Sequence, residues 1–219
     1  MEFFRKITYK IAWIILSIIF KILLDVKTRM PEELKNNKIK SPILIVSNHK
    51  AVADSFIVPT RLSFKNNLHP FHFLGATGNF ESLATKVFKA TGIIKFVYFL
   101  FGVIPVIRGV GLDKSLEKPI KALKAGKIVM IYPEGRVFKE IESIGSFRRG
   151  AAALAEKTGA AILPVAIKYF KGSLLGKKVV INFGKPFCVS GDLYDENDEY
   201  YAKPSEYIRE KVLKLYEEI

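Results

Sequence analysis

The sequence predicts an α/β domain on a mixed, largely parallel sheet flanked by helices, preceded by an N-terminal membrane-associated helical segment. Three observations carry that expectation. Short apolar runs of strand length recur along the chain, each ending at a polar residue, glycine or proline. Two such runs between 127 and 169 bracket a helical stretch, a strand–helix–strand unit of the kind that builds parallel sheets. Upstream, the chain opens on an apolar segment set among lysines.

That first segment runs from Ile11 to Phe20, apolar except for Ser17, and resumes after Lys21 with Ile22 to Leu24. No small-residue cleavage site follows it, so it is expected to be retained. A bilayer span needs about 20 predominantly apolar residues. This run is shorter, and basic residues on both sides leave its orientation ambiguous. Immersion from one side, with lysines reaching back to headgroups, fits these facts best. A full span and a buried core helix are the alternatives. The expected organisation is residues 1–40 as membrane-associated helix and basic linker, and 41–219 as the α/β domain.

Within that domain Pro42 to Ser47 reads as a strand ending at Asn48-His49. The apolar stretch Ile93 to Ile107 is a second contact with lipid or part of the core. Lys127 to Tyr132 is a strand stopped by Pro133. Arg148 to Thr158 has helical composition, and Gly159 is a natural stop. Ala161 to Tyr169 and Lys178 to Phe183 are further strands, the first containing Pro164, which suggests an edge or a bulge. The acidic stretch Asp192 to Glu199 is a solvated loop. From Pro204 onward, Ile208, Val212, Leu215 and Tyr216 fall on one face of a helix.

Composition narrows the partners. Hydrophobic residues make up 49% of the 219, mean hydropathy is +0.18, and 35 Lys and Arg against 21 Asp and Glu give a net charge of +14. A chain both greasy and basic suits an anionic phospholipid membrane, where each Lys or Arg near the surface contributes about 1 kcal/mol. No zinc-finger spacing, RNP-like aromatic string or recognition helix points to nucleic acid. Cys188 alone excludes an internal disulfide and reads as a small buried hydrophobe near a strand end. His69 and His72 flank Pro70, which argues for a loop, and no metal site is expected.

Ligands of open α/β sheets gather at the carboxyl ends of strands, and three segments fall there. In the first, a histidine just past a strand, His49, precedes Asp54 by five residues. Five residues on a straight helix separate side chains by about 140°, so the pair needs a strand–turn–helix junction, which the sequence supplies. Such a dyad deprotonates a hydroxyl: the histidine takes the proton, and the carboxylate sets its tautomer and stabilises the imidazolium. In the second, Arg108 follows an apolar stretch beside Gly109, where it would offer a bidentate grip on phosphate. In the third, Tyr132-Pro133-Glu134-Gly135-Arg136, the glycine permits close backbone approach and Arg136 adds a cation. Arg148 and Arg149, at a helix start, add anion-binding capacity.

In this order, with Pro164 in its Leu-Pro-Val setting as a fourth block, these segments resemble the glycerolipid acyltransferase family. The likeness is in particular to bacterial 1-acyl-glycerol-3-phosphate acyltransferases. The pattern is Asn-His-x4-Asp, Gly-x-Ile-Pro-x-x-Arg, Phe/Tyr-Pro-Glu-Gly-Thr-Arg and Val/Leu-Pro-Val, and it covers roughly residues 41 to 187. The resemblance implies direct acyl transfer to a lysophospholipid from acyl-CoA or acyl carrier protein, with no covalent acyl-enzyme, metal or other cofactor. By position His49 would be the base and Asp54 its partner, while Arg108, Glu134, Gly135 and Arg136 would hold the acceptor. It also implies a place on the cytoplasmic face of the cytoplasmic membrane.

Two departures touch the acceptor side. Arginine stands one residue early in the third block, leaving open whether Arg136 or Arg148 and Arg149 meet the phosphate. The stretch Phe73 to Glu81 also lacks the lysine common between the first two blocks.

Overall fold

Ile43–Ser47 and Ile128–Ile131 are buried at every position, which leaves neither segment a face for solvent. Strands of that kind belong in the interior of a sheet covered on both sides. A computed structural model of the chain describes residues 2–36, 39, 42–63, 70–77, 102–107, 109–140, 142–173, 176–194 and 201–219. Its strands are β1 (Asp25–Arg29), β2 (Ile43–Ser47), β3 (Phe71–Thr77), β4 (Ile104–Ile107), β5 (Ile128–Ile131), β6 (Ala161–Ser173) and β7 (Gly176–Phe183). They form one seven-stranded sheet in the order β1-β7-β6-β2-β5-β3-β4. Every neighbouring pair is parallel except the hairpin of β6 and β7. The sheet is therefore mixed and mostly parallel, as the sequence predicts.

Period-two alternation sorts the side chains into two cores. Leu44, Val46, Ile162 and Ala166 face one way, against the helices α4 (Leu112–Lys124), α5 (Gly150–Thr158) and α6 (Ala202–Glu217). Ile43, Ile45, Leu163, Val165 and Ile167 face the other. There they meet α3 (Asp54–Thr60), through Ile57 and Val58, and Leu34 of the short α2 (Glu32–Asn36). Phe20 of α1 (Glu2–Leu23) packs on that second core as well. Gly159 ends α5 in the left-handed conformation, the stop expected of it.

The proline of β6 departs from expectation. β6 lies inside the sheet between β7 and β2, with Pro164 opposite Val46. The antiparallel ladder with β7 begins one residue later, at Val165–Phe183. The Pro164 carbonyl accepts Gly184 N–H just past the end of β7. N–H and C=O of one strand residue point to the same side, so the missing donor falls beyond the ladder and breaks no rung.

The N-terminal segment also differs. Asp25–Arg29 pairs in parallel with Lys178–Asn182, so the sheet starts upstream of residue 41. One face of α1 is held by the fold: Tyr9 is buried, and Trp13 Nε1 donates to the Pro59 carbonyl of α3 at 2.9 Å. The opposite face exposes Ile7, Ile11, Ile14, Ile15, Ile18, Ile19 and Ile22. Among the described residues no helix is long and apolar enough to cross a membrane.

Of the remaining expectations, residues 93–101 of the second apolar stretch, His69 and Arg108 lie outside the described residues. Ile104 is buried in β4, and His72 is buried in β3 rather than placed in a loop. Cys188 is exposed. Phe187, one residue earlier, takes the inward place by bridging to Ile162, and alternation turns the cysteine outward.

Candidate active site

Parallel pairing brings the carboxyl ends of β2, β5 and β4 to one edge of the sheet. Past β2 the chain makes the turn that the dyad needs, and α3 begins at Asp54 itself. Asn48 prolongs the β2–β6 ladder with its side chain. Its Nδ2 donates to the Ile167 carbonyl at 2.9 Å, and its Oδ1 accepts Ile167 N–H at 2.8 Å. His49 is thereby fixed at the first position beyond the sheet.

His49 Nδ1 lies 3.1 Å from Asp54 Oδ2. The same carboxylate oxygen accepts the backbone N–H groups of Lys50, at 2.7 Å, and Ala51, at 2.8 Å. Oδ1 accepts the Tyr169 hydroxyl at 2.6 Å. Asp54 is fully buried, and four donors compensate its lost hydration. With other donors arrayed on it, the carboxylate accepts the hydrogen bond of Nδ1–H, which leaves Nε2 as the basic nitrogen. The His49 side chain keeps 16% of its surface exposed.

The loop after β5 closes around this pair. Tyr132 stacks on the His49 ring. Glu134 accepts His49 N–H on Oε2 at 3.2 Å and Gly145 N–H on Oε1 at 3.0 Å. Phe138 N–H returns to the His49 carbonyl at 2.7 Å. Burial raises the Glu134 carboxyl above its ordinary value, against the opposing pull of those two amides and the charge of Lys50. Burial, and then the charge of Asp54, raise the phenols of Tyr132 and Tyr169.

Lys50 pins the loop from the other side. Its ammonium donates to the carbonyls of Glu140 and Ser143 and lies 5.1 Å from the Phe138 ring centroid and 5.0 Å from that of Tyr216. Burial lowers its pKa, and Glu134, Glu140 and Asp54 pull it back. Arg209 of α6 adds bonds to the carbonyls of Gly145 and Ile144.

Gly135 is left-handed, with φ 68°, and a Cβ built there would stand 3.0 Å from Arg148 Nε. Glycine is what lets that guanidinium lie along the turn. Arg148 N–H also bonds the Pro133 carbonyl at 2.9 Å. Arg136, Arg148 and Arg149 are exposed. The structure thus gathers His49, Asp54, Glu134 and Gly135, and adds Arg148 to the third turn. Glu134 has each oxygen on a backbone amide, one in the turn after β2 and one farther along its own loop. Sequence reasoning passed over Tyr169, Lys50, Asn48 as a ladder extension, and the grip of α6. A hydroxyl-bearing aromatic on the strand beside β2 is the signal that points to Tyr169.

Comparison with known proteins bears on the family and the fold. A family model described as "Acyltransferase" matches residues 25–168. The chain is 31% identical over 132 residues to the chloroplastic 1-acyl-sn-glycerol-3-phosphate acyltransferase LPAT1 of Arabidopsis thaliana, covering 58% of this chain and 32% of that one. It is 28% identical over 146 residues to a probable 1-acyl-sn-glycerol-3-phosphate acyltransferase of Mycoplasma genitalium, covering 65% and 51%. It spans about a third of the plant protein's length and about half of the Mycoplasma protein's. The crystal structure of the 1-acyl-sn-glycerophosphate acyltransferase PlsC from Thermotoga maritima shares the fold. Its TM-score is 0.64 at 18% identity, over 96% of this chain and 80% of that one.

Proposed function

We propose that this chain, which belongs to the acyltransferase family, moves a fatty acyl group from a thioester to the free hydroxyl of 1-acyl-glycerol-3-phosphate, forming phosphatidic acid. The observation that carries the reading is the His49–Asp54 pair at the carboxyl edge of the sheet, Nδ1 committed to the carboxylate. His49 Nε2 takes the proton of the acceptor hydroxyl, whose oxygen bonds to the thioester carbonyl carbon. The tetrahedral adduct collapses, the carbon–sulfur bond breaks, and the proton on Nε2 passes to the departing thiolate. Asp54 stabilises the imidazolium in between. The donor is acyl-CoA or acyl carrier protein.

Arg148, lying against Gly135, supports a phosphate site at the third turn; Arg136, next after Gly135 in sequence, and Arg108, next after Ile107, are the further cations this reading assigns to the acceptor. Glu134 shapes that turn. The early arginine of the third block favours a second reading of the same chemistry, on another lysophospholipid, glycerol-3-phosphate or an aminolipid. The exposed isoleucine face of α1 and the +14 charge support docking on an anionic membrane, at the cytoplasmic face of the cytoplasmic membrane.

Purified wild type and His49→Ala, given lysophosphatidate and each donor type with the product identified by mass, test the reaction. Phosphatidic acid from the wild type and its loss in the variant support it. Undiminished turnover in His49→Ala removes the assigned base, and equal turnover of phosphate-free acceptors removes the arginine roles.

A further inference from the structure

We propose that Tyr169 is a positioning residue for the reaction, setting the basicity of His49 through its hydrogen bond to Asp54. The proposal rests on the reading of His49 as base and deepens it.

The two oxygens of Asp54 are unequally loaded. Oδ2 serves His49 and two backbone amides, whereas the hydrogen bond described at Oδ1 comes from Tyr169, at 2.6 Å. Backbone amides are fixed by the fold, so the Tyr169 hydroxyl is the variable side-chain donor on the far side of the carboxylate from the histidine. It draws negative charge toward Oδ1 and away from the oxygen that pairs with the imidazolium. Asp54 is 0% exposed, so no bulk solvent averages this effect out.

Tyr169 is held for the task by the fold. Its backbone pairs with Val179 in the β6–β7 ladder, and its odd position in β6 turns the ring toward the face where α3 presents Asp54. Among the described residues, the titratable groups facing the pair are Lys50 in the turn, Tyr132 and Glu134 beyond β5, and Tyr169 on β6. Burial and the Asp54 charge keep the Tyr169 phenol protonated well past neutral pH, so it acts as a donor throughout any assay range.

The test reads His49 directly. NMR titration of its imidazole is followed in wild type, Tyr169→Phe and protein with 3-fluorotyrosine at 169. Loss of the hydroxyl leaves more charge on Oδ2 and is expected to raise the His49 midpoint by about half a pH unit. Fluorination makes the phenol a stronger donor and is expected to lower the midpoint. The acid limb of kcat/KM should move with it, with KM for both substrates unchanged. An unmoved midpoint in both variants, or shifts of the same sign, overturns the proposal even if activity falls. His49→Ala in the same series separates the two readings. If that variant stays active while the midpoints move in opposite directions, the coupling stands and the base assignment fails.

Discussion

Tyr132 lies flat against His49, ring centroids 4.1 Å apart and planes inclined by 16°. The stack limits rotation of the imidazole, so Nδ1 stays on Asp54 and Nε2 keeps one direction. An aromatic pair of this kind contributes about 0.5–1.5 kcal/mol beyond its buried area. Tyr132→Leu should therefore lower kcat by roughly 2–10-fold with KM little changed. Tyr132→Phe should stay within about twofold of wild type, since the stacking face is kept. Steady-state kinetics on the two variants decide it, and equal losses in both would assign the effect to the hydroxyl instead.

Glu134 joins His49 N–H to Gly145 N–H with one carboxylate. Glu134→Gln must turn an amide NH2 toward one of those donors, which should cost about 1–3 kcal/mol of stability. The pH dependence has a definite sign. Burial raises this carboxyl, so the folded chain holds its proton where the unfolded chain has released it. The Glu134 contribution is then full at pH below the ordinary value of 4.5 and is lost as pH rises through the raised one. Urea midpoints across that range should fall more steeply with pH in wild type than in Glu134→Gln. Parallel curves would contradict the shift.

Lys50 holds the loop with an ammonium set between two carbonyls and two rings. Lys50→Met keeps the stem and removes the charge, and should destabilise the chain by about 1.5–3 kcal/mol. Amide exchange should quicken at Phe138 and Gly145, whose N–H groups bond His49 and Glu134. Unchanged protection at both amides would show that the loop holds without the lysine.

Arg148 lies along Gly135, and Arg136 is exposed one residue beyond that glycine. Arg148→Met is expected to raise KM for a phosphate-bearing acceptor by about tenfold or more, in keeping with loss of a charge-assisted contact. Arg136→Met should raise it less. The reverse order would return the phosphate to Arg136.

The proposed membrane docking uses the isoleucine face of α1, whose side chains are exposed. Ile15→Glu with Ile18→Glu replaces residues 51% and 54% exposed, so thermal stability should change little. Sedimentation with anionic vesicles should weaken by about tenfold or more. Undiminished sedimentation would move the docking surface elsewhere.

Much of this was legible in the chain itself. β2, β5 and the α5–β6 unit announced themselves because their apolar runs are unbroken and end at a proline, a glycine or Asn48-His49. The strand–turn–helix needed by His49 and Asp54 followed from spacing alone. β1 was hidden because Asp-Val-Lys-Thr-Arg is mostly exposed and has no apolar face to advertise a strand. Only its partner β7 defines it. Tyr169 and Lys50 were hidden for a related reason. Their partners lie 115 residues away at Asp54 and about 90 away at Glu140 and Ser143, and long-range hydrogen bonds leave no periodicity to read.

One residue, Leu24, separates the end of α1 from the start of β1, and β1 is the outermost strand of the sheet. The leading helix is therefore no detachable tether. Its heading is welded to the sheet, so any surface it settles on also fixes the tilt of the whole protein against that surface. Trimming it back to residue 30 to gain solubility would strip the border strand and bare the backbone of β7, trading a greasy helix for an adhesive sheet edge. A tractable soluble form has to be made by recolouring the isoleucine face, with the thread left intact.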